Sequence, residues 1–381
     1  MMLGGYSREK LPRVIHISIA RYREDLPKSG EELAFLVSIH EEGTGITWQQ
    51  NVSVDRQAEQ FFLEASHNLH LWSINRALTA QKANRLVEDL GKRLYEVFMG
   101  SAGEGILRAI KPTAVLIDVD ETILNLPWEA IAGPDGHISQ HTPFGRLVTT
   151  RTGLRMGRDP LEEDTVVRIL AVANPTLDLA ATEAEITTLR DLEEDRGPYR
   201  ICVEVLSHEE ATRKRFAELI EQGDFDILHF AGHAYLNPGD PGSSALRFAD
   251  GDLAADEVLK LKWKATPYFV FNSACESGRG VSGARLVSEG SHSNGLAAAF
   301  LAIGVYGYAG YFWPVTDVGA GMFTGTFYRS LFQRENFGLA FLEARNFVLR
   351  ELGEVGDLTA YSAILFGDAA SKHRRDLATA V

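Results

Sequence analysis

Two segments each end an apolar run on a reactive side chain. In FDILHFAGHAYL (225–236) it is His233, and in PYFVFNSACESGRG (267–280) it is Cys275. A thiol beside an imidazole suffices for acyl transfer: the thiolate attacks a carbonyl and the imidazole protonates the leaving amine. Gly, Ala and Ser surround both residues, so backbone amides can come close to a reacting carbonyl. A third segment, LIDVDETILNLPWEA (116–130), carries a D-x-D-x-T motif. There two carboxylates, Asp118 and Asp120, stand one residue apart at the end of an apolar run. A fourth option is a metal, because His229 and His233 are four apart and share a face on a strand. Zinc needs a third protein ligand, however, and neither H-E-x-x-H nor C-x-x-C occurs.

Taken singly, a cysteine is more often a small buried apolar residue than a nucleophile. The pair gains from its shared setting. Both residues follow apolar strand-like runs, and parallel strands deliver such residues side by side at their carboxyl ends. His233 precedes Cys275 by 42 residues, close to the roughly fifty expected when the base precedes a caspase-type nucleophile.

The elements that must carry these residues read as follows. Segments 13–23, 33–40 and, more weakly, 46–55 alternate apolar and polar residues, as half-buried antiparallel strands do. From about 56 to 99 the period becomes helical, with Leu86, Leu90, Leu94 and Phe98 in one stripe flanked by Ala83, Val87 and Val97. MGSAGEG (99–105) breaks that pattern, so the organisation predicted is an N-terminal strand-plus-helix lobe over 1–105 and a larger domain over 106–381. Beyond it, strands are predicted at 114–118, 166–173, 199–206, 226–231, 267–273 and 304–312. Helices are predicted at 182–195, 208–222, 294–303, 318–333 and 338–352. This alternation predicts an α/β fold with a mostly parallel sheet sandwiched by helices. Thr182 with Glu185, and Ser207 with Glu210, have capping-box spacing. AVLIDV and ETILNL read as a hairpin around an Asp-rich turn.

The segments H-F-A-G-H-A and N-S-A-C-E-S-G resemble those of the CHAT-domain cysteine proteases, relatives of caspases, separases and gingipains. LPWEAI (126–131) is similar to that family's L-P-[FW]-E-x-[LI], and ILAVANPTLDLAATEAEI (169–186) to its strand, Asn-Pro turn and acidic helix. GVYGYAGYFWPVTDVGAGMFTGTFYRSL resembles its last core strand, W-P-V-x-D turn and following helix. The resemblance runs in order over about 110–370. It implies a caspase-like fold, with Cys275 as nucleophile and His233 as general acid/base. It further implies an oxyanion site from the backbone N–H groups of Cys275 and Ala234. Ala234 departs from the glycine usual after the histidine, a change that keeps the N–H. No third member of a triad is obvious; Asp224 and Asp226 merely precede the histidine strand. Trp313 and Tyr311 are candidates to wall a substrate pocket, with packing in the core as the alternative. Glu276 and Asp317 are candidates to meet a basic substrate side chain.

The D-x-D-x-T segment also resembles the nucleophile motif of haloacid-dehalogenase-like phosphatases, which leaves phosphatase chemistry on Asp118 and Asp120 as a remote alternative. That reading wants Mg²⁺ held by a later acidic pair. LFGDAASK supplies only part of it, since Lys372 stands four residues after Asp368. A catalytically silent CHAT-like scaffold that only binds partners is the other alternative.

Bulk properties narrow the class of partner. With 38 Lys and Arg against 52 Asp and Glu, the net charge is −14. That argues against nucleic-acid binding, which needs clustered cations. Two cysteines allow no disulfide framework, no run of 18 apolar residues suggests a membrane span, and MMLGGYSREKLPR lacks the apolar centre of a signal peptide. A cytoplasmic protein is expected, with no metal or organic cofactor demanded by the chemistry. The family resemblance implies a protein substrate, such as a pore-forming or toxin-like protein encoded nearby, in bacterial defence or cell death. Gly-rich stretches at 237–244 and 276–295 are candidates for substrate and activation loops, through which an activating protein would act.

Overall fold

The computed structural model describes residues 13–21, 32–75, 78–119, 123–147, 166–179, 181–194, 200–235, 241–274, 295–334 and 336–371. The chain opens with β1 (Val14–Arg21), β2 (Leu33–Glu41) and β3 (Thr47–Val54), then α1 (Arg56–Asn75), α2 (Ala80–Phe98) and α3 (Gly100–Ile110). Next come β4 (Ala114–Val119), a 3-10 turn at Trp128–Ala130, the short pair β5 (Ala132–Gly133) and β6 (Gly136–His137), α4 (Ile138–His141) and β7 (Phe144–Leu147). The central part holds β8 (Val166–Ala173), α5 (Thr182–Glu194), β9 (Arg200–Ser207), α6 (Arg213–Gln222), β10 (Ile227–Ala231) and β11 (Ala234–Tyr235). It continues with β12 (Ala245–Phe248), β13 (Gly251–Ala254), α7 (Ala255–Val258) and β14 (Phe269–Asn272). The last elements are α8 (Gly295–Ala302), β15 (Gly307–Tyr311), α9 (Asp317–Arg334), α10 (Phe337–Leu352), α11 (Thr359–Ser362) and β16 (Ala363–Gly367).

Among the described residues one sheet of eleven strands, in the order β3-β2-β1-β4-β7-β16-β15-β14-β10-β8-β9, organises the fold. Among the described residues only β3–β2, β2–β1 and β16–β15 pair antiparallel in it, so the sheet is mostly parallel, as expected. The strands of the 1–105 segment join this same sheet, because β1 runs parallel to β4 from Val14↔Ala114 to Ile19↔Val119. Central strands are buried on both faces, which explains their unbroken apolar runs: ILHFA of β10 and FVFN of β14 are buried throughout. Each face carries its own core. Phe62, Leu90, Leu94, Phe98, Phe216 and Phe300 cover one face from α1, α2, α6 and α8. Leu189, Phe323, Phe327, Phe341 and Val348 cover the other from α5, α9 and α10.

The break expected at MGSAGEG is a bend between helices. Gly100 adopts a positive φ of 57°, and α3 begins at once. Position 105, where the first lobe was drawn to end, falls within α3. Neither capping box forms. The hydroxyl of Thr182 donates to Leu179 O at 2.7 Å while Glu185 turns into the core. Ser207 makes no side-chain cap, and α6 starts later, capped by Thr212 on Arg215 N–H at 3.1 Å.

The expected hairpin at 114–126 is also absent among the described residues. AVLIDV is β4, but Ile123–Asn125 is a turn. β4 instead pairs in parallel with β1 and β7, and Asp118 sits opposite Ser18 and Leu147. Asp120 lies outside the described residues. The LPWEA segment that follows is a structural joint. Trp128 is buried, donates Nε1–H to Ile123 O at 3.0 Å and meets Phe98 edge-on at 5.0 Å between centroids. Helix α2 comes so near that a Cβ on Gly91 would lie 1.9 Å from Ala130 O. Glu129 forms a two-point ion pair with the fully buried Arg146 of β7, whose remaining N–H groups reach Leu124 O at 2.8 Å and Leu126 O at 3.1 Å. Removing one member of such a pair strands the other charge in the core. Glu129→Ala should therefore lose about 3–5 kcal/mol of unfolding free energy, read by denaturant titration. A loss below about 1 kcal/mol, typical of a surface pair, would contradict this account.

Candidate active site

Strand β10 lies between β8 and β14 and is parallel to both. Phe230 is in register with Asn272 on one side and Val172 on the other. The three strand exits are stitched by main-chain bonds, Asn174 N–H to Ala231 O at 2.9 Å and Ser273 N–H to Phe230 O at 2.8 Å. Past Ala231 the chain turns at Gly232, where an added Cβ would meet Phe230 Cε1 at 2.8 Å and Pro175 Cδ at 3.2 Å. His233 follows, with its side chain 45% exposed.

The nucleophile candidate Cys275 and its neighbour Glu276 lie outside the described residues. The described chain reaches Ala274, one residue short. Its approach is shaped by Asn272, which is buried, donates Nδ2–H to the Tyr308 hydroxyl at 2.9 Å and accepts Ala274 N–H at 3.2 Å. The loop candidates at 237–240 and 276–294 also lie outside the described residues.

Ala234 opens β11, at the end of a three-stranded sheet with β12 and β13. It sits opposite Leu246, and Arg247 N–H donates to His233 O at 2.9 Å. That pattern makes Ala234 and Leu246 a non-hydrogen-bonded pair, so the Ala234 N–H points away from β12. A backbone donor is thus turned outward beside His233.

His233 has a partner that sequence reasoning missed. Both carboxylate oxygens of Asp178 lie 3.1 Å from His233 Nε2. Asp178 belongs to the Asn-Pro turn leaving β8 and stands 55 residues from His233, so no local pattern links the two. Its carboxyl is held below the usual range, first by the hydroxyl of Thr176, which donates to Oδ1, and then by His233.

Beneath the strand exits sits a buried polar cluster centred on Glu185 of α5. Its Oε1 accepts from Ser273 Oγ at 3.1 Å and its Oε2 from Thr324 Oγ1 at 3.2 Å. His229 Nε2 lies 3.3 Å from Oε2, and His229 Nδ1 lies 3.2 Å from the Tyr328 hydroxyl. Burial, with Glu185 nearby, drives the Tyr328 hydroxyl well above its usual range and keeps it protonated. Among the described residues no group of three or more His, Cys, Asp or Glu could hold a metal ion. The His229 ring is buried inside this cluster, with Nδ1 at the Tyr328 hydroxyl, while His233 stands beyond the strand.

The remaining candidates fall around the W-P-V-x-D turn. Tyr311 and Trp313 are 1% and 0% exposed and pack within the hydrophobic core, presenting no surface to solvent. Asp317 is exposed in the first turn of α9. Thr316 caps that helix on Gly319 N–H at 3.0 Å and is bonded in turn to the buried Asp357.

A large, mostly parallel sheet sandwiched by helices, with its reactive segments leaving neighbouring parallel strands, defines a caspase-like α/β protein. The fold is shared with the separase chain of the Saccharomyces cerevisiae separase–securin complex, at a TM-score of 0.60 and 10% identity over 93% of this chain. A second structure of that complex matches at 0.51 and 12% identity over the same 93%. This chain spans 30% of the separase chain's length. The Arg-specific cysteine proteinase gingipain R (RGPB) aligns at 0.46 with 12% identity, over 82% of this chain and 74% of that one. The CHAT domain family model matches residues 88–363, and the chain belongs to that family. No curated protein matches the sequence. Among the described residues no helix is long and apolar enough to cross a membrane.

Glu185→Ala leaves the Ser273 and Thr324 hydroxyls without their acceptor. It should cost about 2–4 kcal/mol of stability, with Glu185→Gln costing less, because unmet buried polar groups cost roughly 1–3 kcal/mol each. Equal Tm values for wild type and Glu185→Ala would show that the cluster carries no such weight.

Proposed function

We propose that the chain is a cysteine endopeptidase with Cys275 as nucleophile and His233 as general acid/base. The observation that carries this reading is the parallel β10–β14 pair. His233 stands three residues past Phe230 and Cys275 is three residues past Asn272, and those two positions are in register. The family and fold support peptide-bond chemistry. In the proposed reaction the Cys275 thiolate forms a C–S bond to the scissile carbonyl. The tetrahedral oxyanion is met by the N–H groups of Cys275 and Ala234, the latter turned away from its strand partner. The C–N bond then breaks as His233 gives its proton to the amine. Water, losing a proton to His233, hydrolyses the thioester and restores the thiol. No metal or organic cofactor enters these steps.

The proposed substrate is a protein, and Asp317, open at the start of α9, is the described candidate to meet a basic side chain on it. Separase was solved as a complex with securin, which supports control of this chain by a protein partner. The setting proposed, on the CHAT resemblance, is the cytoplasm, in a bacterial defence or cell-death system. There the substrate would be a pore-forming or toxin-like protein encoded nearby.

The test incubates wild type, Cys275→Ala and His233→Ala with candidate partner proteins and maps new N-termini. Cleavage by wild type should fall about a thousandfold or more in each variant. Cleavage by Cys275→Ala at the wild-type rate would remove the nucleophile assignment. Partner binding with no cleavage by any form would favour a silent scaffold. Mg²⁺-dependent phosphatase activity lost in Asp118→Asn would favour the phosphatase instead.

A further inference from the structure

The Asp178–His233 contact differs from an ordinary surface ion pair in how its carboxylate is held. Exposed pairs contribute little when two flexible side chains must be frozen to meet. Here the turn that carries Asp178 is already fixed by its own backbone. Asn174 N–H reaches across to Ala231 O at 2.9 Å, two residues before His233. Asn174 Oδ1 accepts Leu179 N–H at 3.0 Å, and Thr182 Oγ1 holds Leu179 O at 2.7 Å. Thr176 Oγ1 fixes one oxygen of the Asp178 carboxylate.

The turn also stores strain. Asn174 and Leu177 adopt φ values of +45° and +66°. Asn tolerates that region, but a leucine there costs on the order of 1–2 kcal/mol. Strain of this kind persists where the surroundings impose it, and here it brings the next residue, Asp178, to Nε2 of His233. Gly232 allows the approach, since a side chain there would press on Pro175 of the same turn.

We infer that Asp178 is a positioning residue for His233: its carboxylate accepts the Nε2–H, fixing the ring's tautomer and orientation and leaving Nδ1 to exchange the proton with substrate. The inference deepens the protease reading and rests on its assignment of His233 as acid/base. It turns the expected dyad into a Cys275–His233–Asp178 arrangement in which the carboxylate itself neither gains nor loses a proton. A carboxylate that selects the imidazole tautomer affects turnover more than substrate binding, since its benefit is realised at proton transfer.

The experiment has two arms. Two-bond ¹H–¹⁵N correlation on protein labelled at histidine reads the tautomer of His233 directly, with His233→Gln providing the assignment. Wild type should show the Nε2–H form, Asp178→Asn a mixture or the Nδ1–H form, and Asp178→Glu a partial return. In the cleavage assay Asp178→Asn should lower kcat by about 10- to 100-fold with KM little changed, within the range for loss of acid–base catalysis. Thr176→Val, which frees one carboxylate oxygen, should give a smaller loss in the same direction. Because Asp178 is 61% exposed, these variants should unfold at the wild-type temperature, which a thermal scan verifies. A tautomer indifferent to Asp178, or a kcat unchanged in Asp178→Asn, overturns the inference. The spectroscopic arm needs no substrate, so failure of the protease reading would appear separately, as cleavage surviving Cys275→Ala.

Discussion

The site region depends on the parallel pairing of β10 with β8 on one side and β14 on the other. With both neighbours in place β10 has no free edge, and with helices on both faces it has no free surface. ILHFA is therefore buried along its whole length. Its main-chain groups must be satisfied by the flanking strands, and at the carboxyl end that requirement ties the exits together. Ala231 O receives Asn174 N–H from the β8 exit, and Phe230 O receives Ser273 N–H from the β14 exit. Three segments remote in sequence are thus held at one place by backbone hydrogen bonds, independently of their side chains.

Helix α5 uses that arrangement twice. The turn leading into it presents Asp178 to His233 at the solvent side. One turn into the helix, Glu185 points inward to Ser273, Thr324 and His229. The two carboxylates meet different physics. Asp178 is open to water and keeps its geometry through a clamped, strained turn. Glu185 is buried and keeps its place because leaving the Ser273 and Thr324 hydroxyls would leave buried polar groups unmet. Through Glu185, α5 approaches the strand that leads to His233, the segment before Cys275 and the helix after the W-P-V-x-D turn.

Much of this could be read from residues in order. Apolar runs marked the central strands, and the stripe through Leu90, Leu94 and Phe98 marked the buried face of α2. What misled were short motifs whose letters fit two environments. Thr182 and Glu185 have the spacing of a capping box, yet Glu185 serves the core, because α5 already includes Thr182 and places Glu185 on its buried face. D-x-D-x-T looks catalytic, yet Asp118 sits on β4, five places along the sheet from β10. LPWEA proved to be a joint, since Glu129 neutralises an arginine buried 17 residues later. No local pattern announces that arginine as buried.

The class of fold and the order of the apolar strands were legible along the chain, as were the candidate side chains that follow them. These follow from periodicity and from side-chain chemistry, which are local properties. Tertiary structure alone decided which carboxylate reaches His233, because Asp178 is 55 residues away in sequence and arrives only through the β8–β10 pairing. It also decided that the Ala234 N–H faces outward, a matter of register against β12. Register and strand order are set by the packing of the whole sheet, and no stretch of chain carries them alone.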